Sequence, residues 1–285
     1  MGVKLDDLLR QESATLPNFR FRAHASFDKN PQFAALVLGL LEDYTALEQA
    51  VGIPTYAPES TPYHRLEGNE QSIAHIATQF RHRLGLGSGP ILNLFAAVEE
   101  IGLKVLRWDI PIPEFFGLSA YSLNQGAFVL VNTHNINIER QLFTLAHEIG
   151  HLILHRDDYE DKLISQGIKQ EETAREAVAN YFASHLLVSQ DALSRAVNEF
   201  TNIIDLKAHF RVSYTMMLMR LEQMGKLNYG DAIQKIRGAY KRQHGKSLPK
   251  NQEIEPALKE PDFPLNQRFT KLVWKALESG KVSEL

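Results

Sequence analysis

The sequence predicts a predominantly helical α+β protein with a small antiparallel sheet in the first half of the chain. Apolar residues recur at helical spacing, which predicts helices over residues 32–51, 70–84, 90–101 and 171–187. Residues 103–108 alternate in polarity as a strand does. Two further strand-like segments, 118–123 and 127–132, flank Asn124-Gln125-Gly126, which favours a tight turn and therefore predicts a hairpin.

The chain begins with residues 1–31, which are predicted to form a short amphipathic piece and a linker. The helix over 32–51 is strongly apolar and ends before Gly52 and Pro54. Because such a helix must bury its apolar side chains, we expect it to dock on the domain that follows or to form a dimer contact.

Composition excludes several classes of protein. A net charge of −3 is too small for a protein that binds nucleic acid over its whole surface. The absence of cysteine excludes disulfides and cysteine-based zinc sites, and it fits a reducing compartment. The polar start does not resemble a signal peptide, and no apolar run approaches the roughly 18 residues needed to span a membrane. We therefore expect a cytoplasmic protein with no membrane partner.

The most informative motif is His147-Glu148-Ile149-Gly150-His151. Residues four apart share a helix face, with Cβ atoms roughly 6 Å apart, so both histidines can bind one metal ion. Zn²⁺ bound in this way needs a third protein ligand and keeps its fourth position for a water molecule, which Glu148 can deprotonate. The motif predicts peptide hydrolysis, although the same residues could belong to an ordinary amphipathic helix.

The helix predicted over 171–187 offers the third ligand. Glu176, Asn180 and Ala183 fall on one face, so Glu176 can present its carboxylate while small residues let this helix approach the first one. Glu171 and Glu172 lie more than a turn upstream and are typical of a helix N-terminal turn. Glu176 is therefore the preferred third ligand.

Taken together, Arg140 to His151 and Glu176 to Ala183 resemble the ImmA/IrrE family of zinc metallopeptidases. The resemblance implies that His147, His151 and Glu176 bind Zn²⁺, with Mn²⁺ as a substitute, and that Glu148 is the catalytic residue. Val178 departs from the family pattern, which often has an acidic residue there. The resemblance also implies a zincin-like core, in which an edge strand of the sheet can pair with an extended substrate.

The family further implies a narrow substrate: a cognate helix-turn-helix repressor whose cleavage derepresses stress, DNA-damage or phage-defence genes. Two alternatives remain open. The chain could be a regulator that binds DNA or protein without cutting, or a metalloenzyme that acts on a nonpeptide amide. Related proteins often carry a helix-turn-helix ahead of the peptidase, and none is visible in this sequence.

The segment over 205–225 predicts a helix, a tight turn and a second helix that begins after Ser213. It resembles the helix-turn-helix-like region of IrrE-type proteins. We favour a structural helix pair over a DNA reader, because Arg220 is the only cation in the second helix. A basic stretch follows, in which a solvated helix face and binding of single-stranded DNA as an activator are about equally favoured. Its candidate residues are Lys235, Arg237, Lys241 and Arg242.

The predicted organisation has four parts. Residues 1–60 form the linker and apolar helix, and residues 61–200 form the zincin-like metallopeptidase domain. Residues 201–250 form the helix-turn-helix-like region with the basic stretch, and residues 251–285 form a linker and a C-terminal helix. Tyr121 and Tyr181 are candidate oxyanion donors, although structural roles are commoner for buried tyrosines. His155 is expected at the helix end, beside the ligands.

Overall fold

The computed structural model describes residues 20–23, 31–159, 169–249 and 252–281. Its strands are β1 (Arg20–Ala23), β2 (Lys104–Trp108), β3 (Gly117–Ser122) and β4 (Gly126–Asn132). Its helices are α1 (Pro31–Ala50), α2 (Glu70–Arg83), α3 (Leu94–Glu100), α4 (Ile138–Leu154), α5 (Lys169–Leu187), α6 (Gln190–Glu199), α7 (Ile203–Phe210), α8 (Tyr214–Gln223), α9 (Tyr229–His244) and α10 (Gln267–Glu278). The predicted helical α+β class is confirmed. One boundary differs: the helix predicted from residue 90 begins after Asn93, whose side chain accepts the Ala96 N–H.

The sheet has the strand order β1-β3-β4-β2, and it differs from the sequence prediction in two ways. It is mixed rather than wholly antiparallel: β3 and β4 form the predicted hairpin, but β2 pairs with β4 in parallel. The chain leaves β2 at one edge and enters β3 on the far side of β4, so β2 and β3 follow each other in the chain but are not neighbours in the sheet. The second difference is β1, which lies within the predicted linker and pairs antiparallel with β3 from Arg20↔Tyr121 to Ala23↔Leu118.

Both faces of the sheet are covered by helices, because β4 alternates its buried side chains between two clusters. Val129 and Val131 pack on the side of α4, and Phe128 and Leu130 pack on the opposite side against α1. Docking of the apolar helix on the sheet, one of the two expected outcomes, is therefore confirmed.

Helices α4 and α5 approach each other closely at Gly150. A Cβ atom at this position would lie 3.1 Å from a Phe182 ring carbon and 3.3 Å from the Cα atom of Ala179. Glycine and alanine thus bring the backbones together, as the small residues of α5 predicted. This contact sets the distance between the side chains that the two helices direct at the site.

The C-terminal segment packs back on the same core. Asn266 accepts a hydrogen bond from the Arg107 N–H of β2 at 2.8 Å, and Lys207 forms a 3.2 Å ion pair with Glu253. Helix α10 joins α1 through the ring contact of Tyr44 with Phe269. No helix in the described ranges is both long and apolar enough to cross a bilayer.

Candidate metal centre

Three side chains from α4 and α5 converge on one point. His147 and His151, one turn apart on α4, place their Nε2 atoms 2.9 Å apart. Across the helix pair, the carboxylate oxygens of Glu176 lie 3.2 Å from His147 Nε2 and 3.3 Å from His151 Nε2. The structure thus brings together the three ligands predicted from sequence, and in the described part of the chain no other group of three or more such side chains has this spacing.

The spacing of the three donors fits a tetrahedral metal ion. Zn²⁺ binds nitrogen and oxygen ligands at about 2.0–2.1 Å, so neighbouring corners of its tetrahedron lie about 3.3 Å apart. The observed separations of 2.9, 3.2 and 3.3 Å are close to this value. Two histidines and one carboxylate also match the donor set of catalytic zinc sites, which leave one position open.

Two further side chains hold the imidazoles in the required orientation. The Nδ1–H of His147 donates to the side-chain oxygen of Asn180 at 2.9 Å, which leaves Nε2 free to donate its lone pair to a metal. His151 Nδ1 lies 2.8 Å from His155 Nδ1. When His155 Nδ1 accepts the Nδ1 proton of His151, the His151 ring takes the same tautomer as His147, with Nε2 unprotonated. His155 caps the end of α4 and is fully buried, as expected for a residue beside the ligands.

The site concentrates negative charge at a place that would otherwise disfavour it. Burial raises the pKa of Glu176, but hydrogen bonds from His147 and His151 outweigh this effect and hold the pKa far below its usual value. Burial lowers the pKa of His147, but the bond to Glu176 and the charges of Glu148 and Glu176 raise it overall. Glu176 is therefore an ionised carboxylate held between two histidines.

Glu148 is fixed from the other side by the sheet. The Ser119 hydroxyl of β3 donates to Glu148 Oε2 at 2.5 Å, and Ser119 Oγ lies 2.8 Å from the Tyr159 hydroxyl. Neither Ser119 nor Tyr159 was predicted as a site residue. Neither lies in a motif, and only the packing of β3 over α4 brings them to Glu148, so no local signal pointed to them.

The two candidate oxyanion donors, Tyr121 and Tyr181, pack against other side chains. Tyr121 stacks under the guanidinium of Arg156, whose Cζ lies 3.9 Å from the ring centroid. Tyr181 packs its ring against His185. Burial lowers the pKa of His185 to about 3, and its Nε2 accepts from Arg220 at 2.8 Å, so His185 is a neutral structural residue. These contacts give structural explanations for both tyrosines.

The helix-turn-helix-like region adopts the predicted shape, with α7 and α8 joined by a tight turn and Ser213 capping α8. Arg220, the only cation of the second helix, is completely buried beneath His185 and Val188. A buried guanidinium cannot reach a DNA groove. The geometry therefore favours the structural interpretation of this helix pair.

Helix α9 carries the basic candidates on its surface, and all four of those side chains are exposed. Lys235 and Arg242 lie seven residues apart and so share one face, whereas Lys241 lies four residues after Arg237 and shares a face with it. Arg237 is directed at the Tyr214 hydroxyl instead, with which it shares a hydrogen bond. Lys235 and Arg242 can thus contact one ligand together.

Comparison with known proteins agrees with the site. Residues 98–222 match a peptidase family described as the IrrE N-terminal-like domain. No curated protein matches the chain. Among solved structures, a Mycobacterium tuberculosis transcriptional regulator aligns at 21% identity with a TM-score of 0.40, over 53% of this chain and 46% of that one. The chain therefore spans about half the length of that regulator. The matched residues 98–222 contain the three converging side chains and Glu148, and this match supports membership of the domain in the ImmA/IrrE family.

Proposed function

We propose that this protein is a zinc-dependent endopeptidase, with His147, His151 and Glu176 as metal ligands and Glu148 as the catalytic residue. The observation that carries the proposal is the set of three donor separations of 2.9–3.3 Å beside a carboxylate that is held by the sheet. Family membership supports a metal-binding role without identifying the ion. Mn²⁺ is the expected substitute for Zn²⁺.

The chain's own residues divide the chemistry between them. Bound Zn²⁺ would polarise the scissile carbonyl and lower the pKa of a water molecule. Glu148 takes the proton of the attacking water on its carboxylate and passes it to the leaving amine. Ser119 donates to Oε2 of Glu148 and so orients this carboxylate. Asn180 and His155 keep both ligand imidazoles in the tautomer that presents Nε2.

We propose a cognate helix-turn-helix repressor as the substrate, whose cleavage derepresses stress, DNA-damage or phage-defence genes. The family match supports this choice of substrate. The geometry of the site supports peptide hydrolysis but does not specify which peptide is cut. The lack of cysteine fits action in the cytoplasm.

We further propose that single-stranded DNA activates the enzyme through Lys235, Lys241 and Arg242 on α9. Their exposure supports this role, because each cation can neutralise a backbone phosphate. The test compares Lys241→Glu/Arg242→Glu with a matched double reversal at the exposed Lys271 and Lys275. Binding of a labelled oligonucleotide and DNA-stimulated cleavage should both fall in the first variant alone. Equal binding by the two variants would refute the role of α9.

The competing function is a regulator that binds DNA or protein without cutting it. The deciding experiment incubates the zinc-loaded protein with helix-turn-helix proteins encoded beside its gene, with and without single-stranded DNA. Cleavage that disappears in Glu148→Gln supports the peptidase. Full zinc occupancy with no cleavage under any condition would favour the binding protein or the nonpeptide amide hydrolase.

A further inference from the structure

Three buried side chains form a chain of hydrogen bonds that ends on Glu148. Ser119 Oγ lies 2.5 Å from Glu148 Oε2 and 2.8 Å from the Tyr159 hydroxyl. The exposed fractions of Ser119, Tyr159 and Glu148 are only 0%, 4% and 7%. The three residues come from different elements: β3, the 3-10 helix Arg156–Tyr159 that follows α4, and α4 itself. Because buried polar groups are almost always hydrogen-bonded, these contacts both satisfy the three groups and fix their positions.

The chemistry of the three groups fixes the direction of both hydrogen bonds. When Glu148 is ionised, as a general base requires, it can only accept, so Ser119 gives its single proton to Glu148. The Ser119 oxygen then has only lone pairs left, and the Tyr159 hydroxyl donates to it. Within the part of the chain that the structure describes, no third group is hydrogen-bonded to the Ser119 hydroxyl. Tyr159 therefore holds the serine hydroxyl, and the serine holds Glu148.

The pleat of β3 explains why Ser119 reaches α4. Side chains of a strand alternate between its two faces, and Leu118 and Ala120 pack on the side of α1. Ser119 lies between them in the chain and so faces α4, as does Gly117, where a Cβ atom would lie 2.6 Å from Thr144 Cγ2. This close contact of β3 with α4 delivers one hydroxyl to the carboxylate of Glu148.

The ring of Tyr159 is held by residues that take no part in the metal centre. It packs edge-on against Tyr121, with 6.3 Å between the ring centroids, and the Arg156 Cζ lies 3.9 Å from the centroid of the Tyr121 ring. Arg156 is anchored in turn, because it donates to the Leu152 carbonyl at 3.0 Å and to the Pro58 carbonyl at 2.6 Å. The hydroxyl of Tyr159 thus has a fixed position that does not depend on Glu148.

We propose that Tyr159 is a positioning residue for Glu148 that acts through Ser119; this inference rests on the proposed peptidase function. A general base must keep its oxygen within hydrogen-bond reach of the proton that it removes, and small displacements of such a group are costly in rate. Tyr159 is too buried to bind substrate itself. Its loss should therefore slow the chemical step and leave substrate binding unchanged.

The first test is kinetic and uses Tyr159→Phe, which removes the hydroxyl and keeps the ring. With zinc-loaded protein and the cleaved repressor as substrate, kcat should fall about threefold to tenfold at unchanged KM, as for the loss of one neutral hydrogen bond. Ser119→Ala should lower kcat at least as far. The double variant Ser119→Ala/Tyr159→Phe should be no slower than Ser119→Ala, because Tyr159 acts through the serine.

Two controls separate positioning from general damage. Tyr44→Phe removes another buried tyrosine hydroxyl, between α1 and α10, and should leave kcat at the wild-type value. Zinc affinity of Tyr159→Phe should equal that of wild type, since no ligand is touched. The inference is overturned if Tyr159→Phe and Tyr44→Phe have equal kcat, if only KM changes, or if Tyr159→Phe slows Ser119→Ala as much as it slows wild type.

A second readout needs no cleavage. Crystal structures of wild type and Tyr159→Phe should differ at the Ser119 hydroxyl, which should leave Glu148 Oε2 or occupy more than one rotamer in the variant. This displacement, together with the absence of cleavage by zinc-loaded wild type, would support the chain of hydrogen bonds and refute the peptidase. A single, unchanged contact of Ser119 with Glu148 in the variant would overturn the inference whether or not wild type cuts.

Discussion

The sharpest test of the metal centre is the replacement of Asn180 by alanine. Asn180 accepts the Nδ1 proton of His147 at 2.9 Å, and this bond holds the Nε2 atom toward His151 and Glu176. Loss of the acceptor leaves the imidazole free to rotate and to adopt the other tautomer. Removal of such a supporting group costs about 10–100-fold in metal affinity.

The free energy of the lost hydrogen bond gives the same range for the loss of zinc affinity. When a metal binds Nε2, the Nδ1–H becomes a charge-polarised donor, and bonds of this kind contribute about 1.5–3 kcal/mol. At about 1.4 kcal/mol per tenfold change, the loss corresponds to about 10–100-fold. Asn180→Asp keeps an acceptor at the same position, so zinc affinity should be retained or increased.

The assay is competition for Zn²⁺ against a chromophoric chelator, with circular dichroism as a check of folding. The control is Asn198→Ala, which removes an exposed asparagine that donates to the Ser194 carbonyl on α6. Equal zinc affinity of folded Asn180→Ala and wild type would refute the assignment of His147 Nε2 as a ligand atom.

Three further predictions concern stability. Gly150→Ala should lower the free energy of unfolding by about 1–3 kcal/mol, because its Cβ atom would crowd Phe182; Gly39→Ala on α1, which meets no atom within 4 Å, should not. Burial raises the pKa of Glu99 to about 7, so the folded state holds its proton more tightly than the unfolded state does. The stability that this proton contributes is present below pH 4.5 and is lost as the pH rises through 7. Urea unfolding should therefore show that Glu99→Gln is more stable than wild type at pH 8, with the difference shrinking toward pH 4.5. Finally, removal of Zn²⁺ by a chelator should lower the melting temperature of wild type, because the ligands tie α4 to α5, and should leave that of His151→Ala unchanged.

The parts of the fold that follow from local sequence pattern were predictable. The spacing of apolar residues indicated most helices, and turn and capping residues indicated the β3–β4 hairpin and the cap at Ser213. The convergence of His147, His151 and Glu176 was also predictable, because each helix fixes the direction of its own side chains and small residues indicated the contact between them.

Long-range pairings were not predictable in the same way. The parallel pairing of β2 with β4 and the addition of β1 depend on which strands meet, and strand periodicity carries no information about this choice. The contact of Ser119 with Glu148 is a consequence of the same choice, since it requires β3 to lie over α4. Sequence pattern thus identified the groups that perform the chemistry but not those that hold Glu148.

The pairing of β1 with β3 has a kinetic consequence for any substrate. Arg22 is the register partner of Ser119, the residue that contacts Glu148, so the chain's own backbone occupies the sheet edge nearest the centre. A tethered segment competes at an effective concentration on the order of millimolar without losing translational freedom. A short peptide that needs this edge must outcompete it, whereas a folded protein that also docks elsewhere gains binding energy to displace it. Reaction rates measured with short peptides should therefore underestimate the turnover of a docked protein substrate.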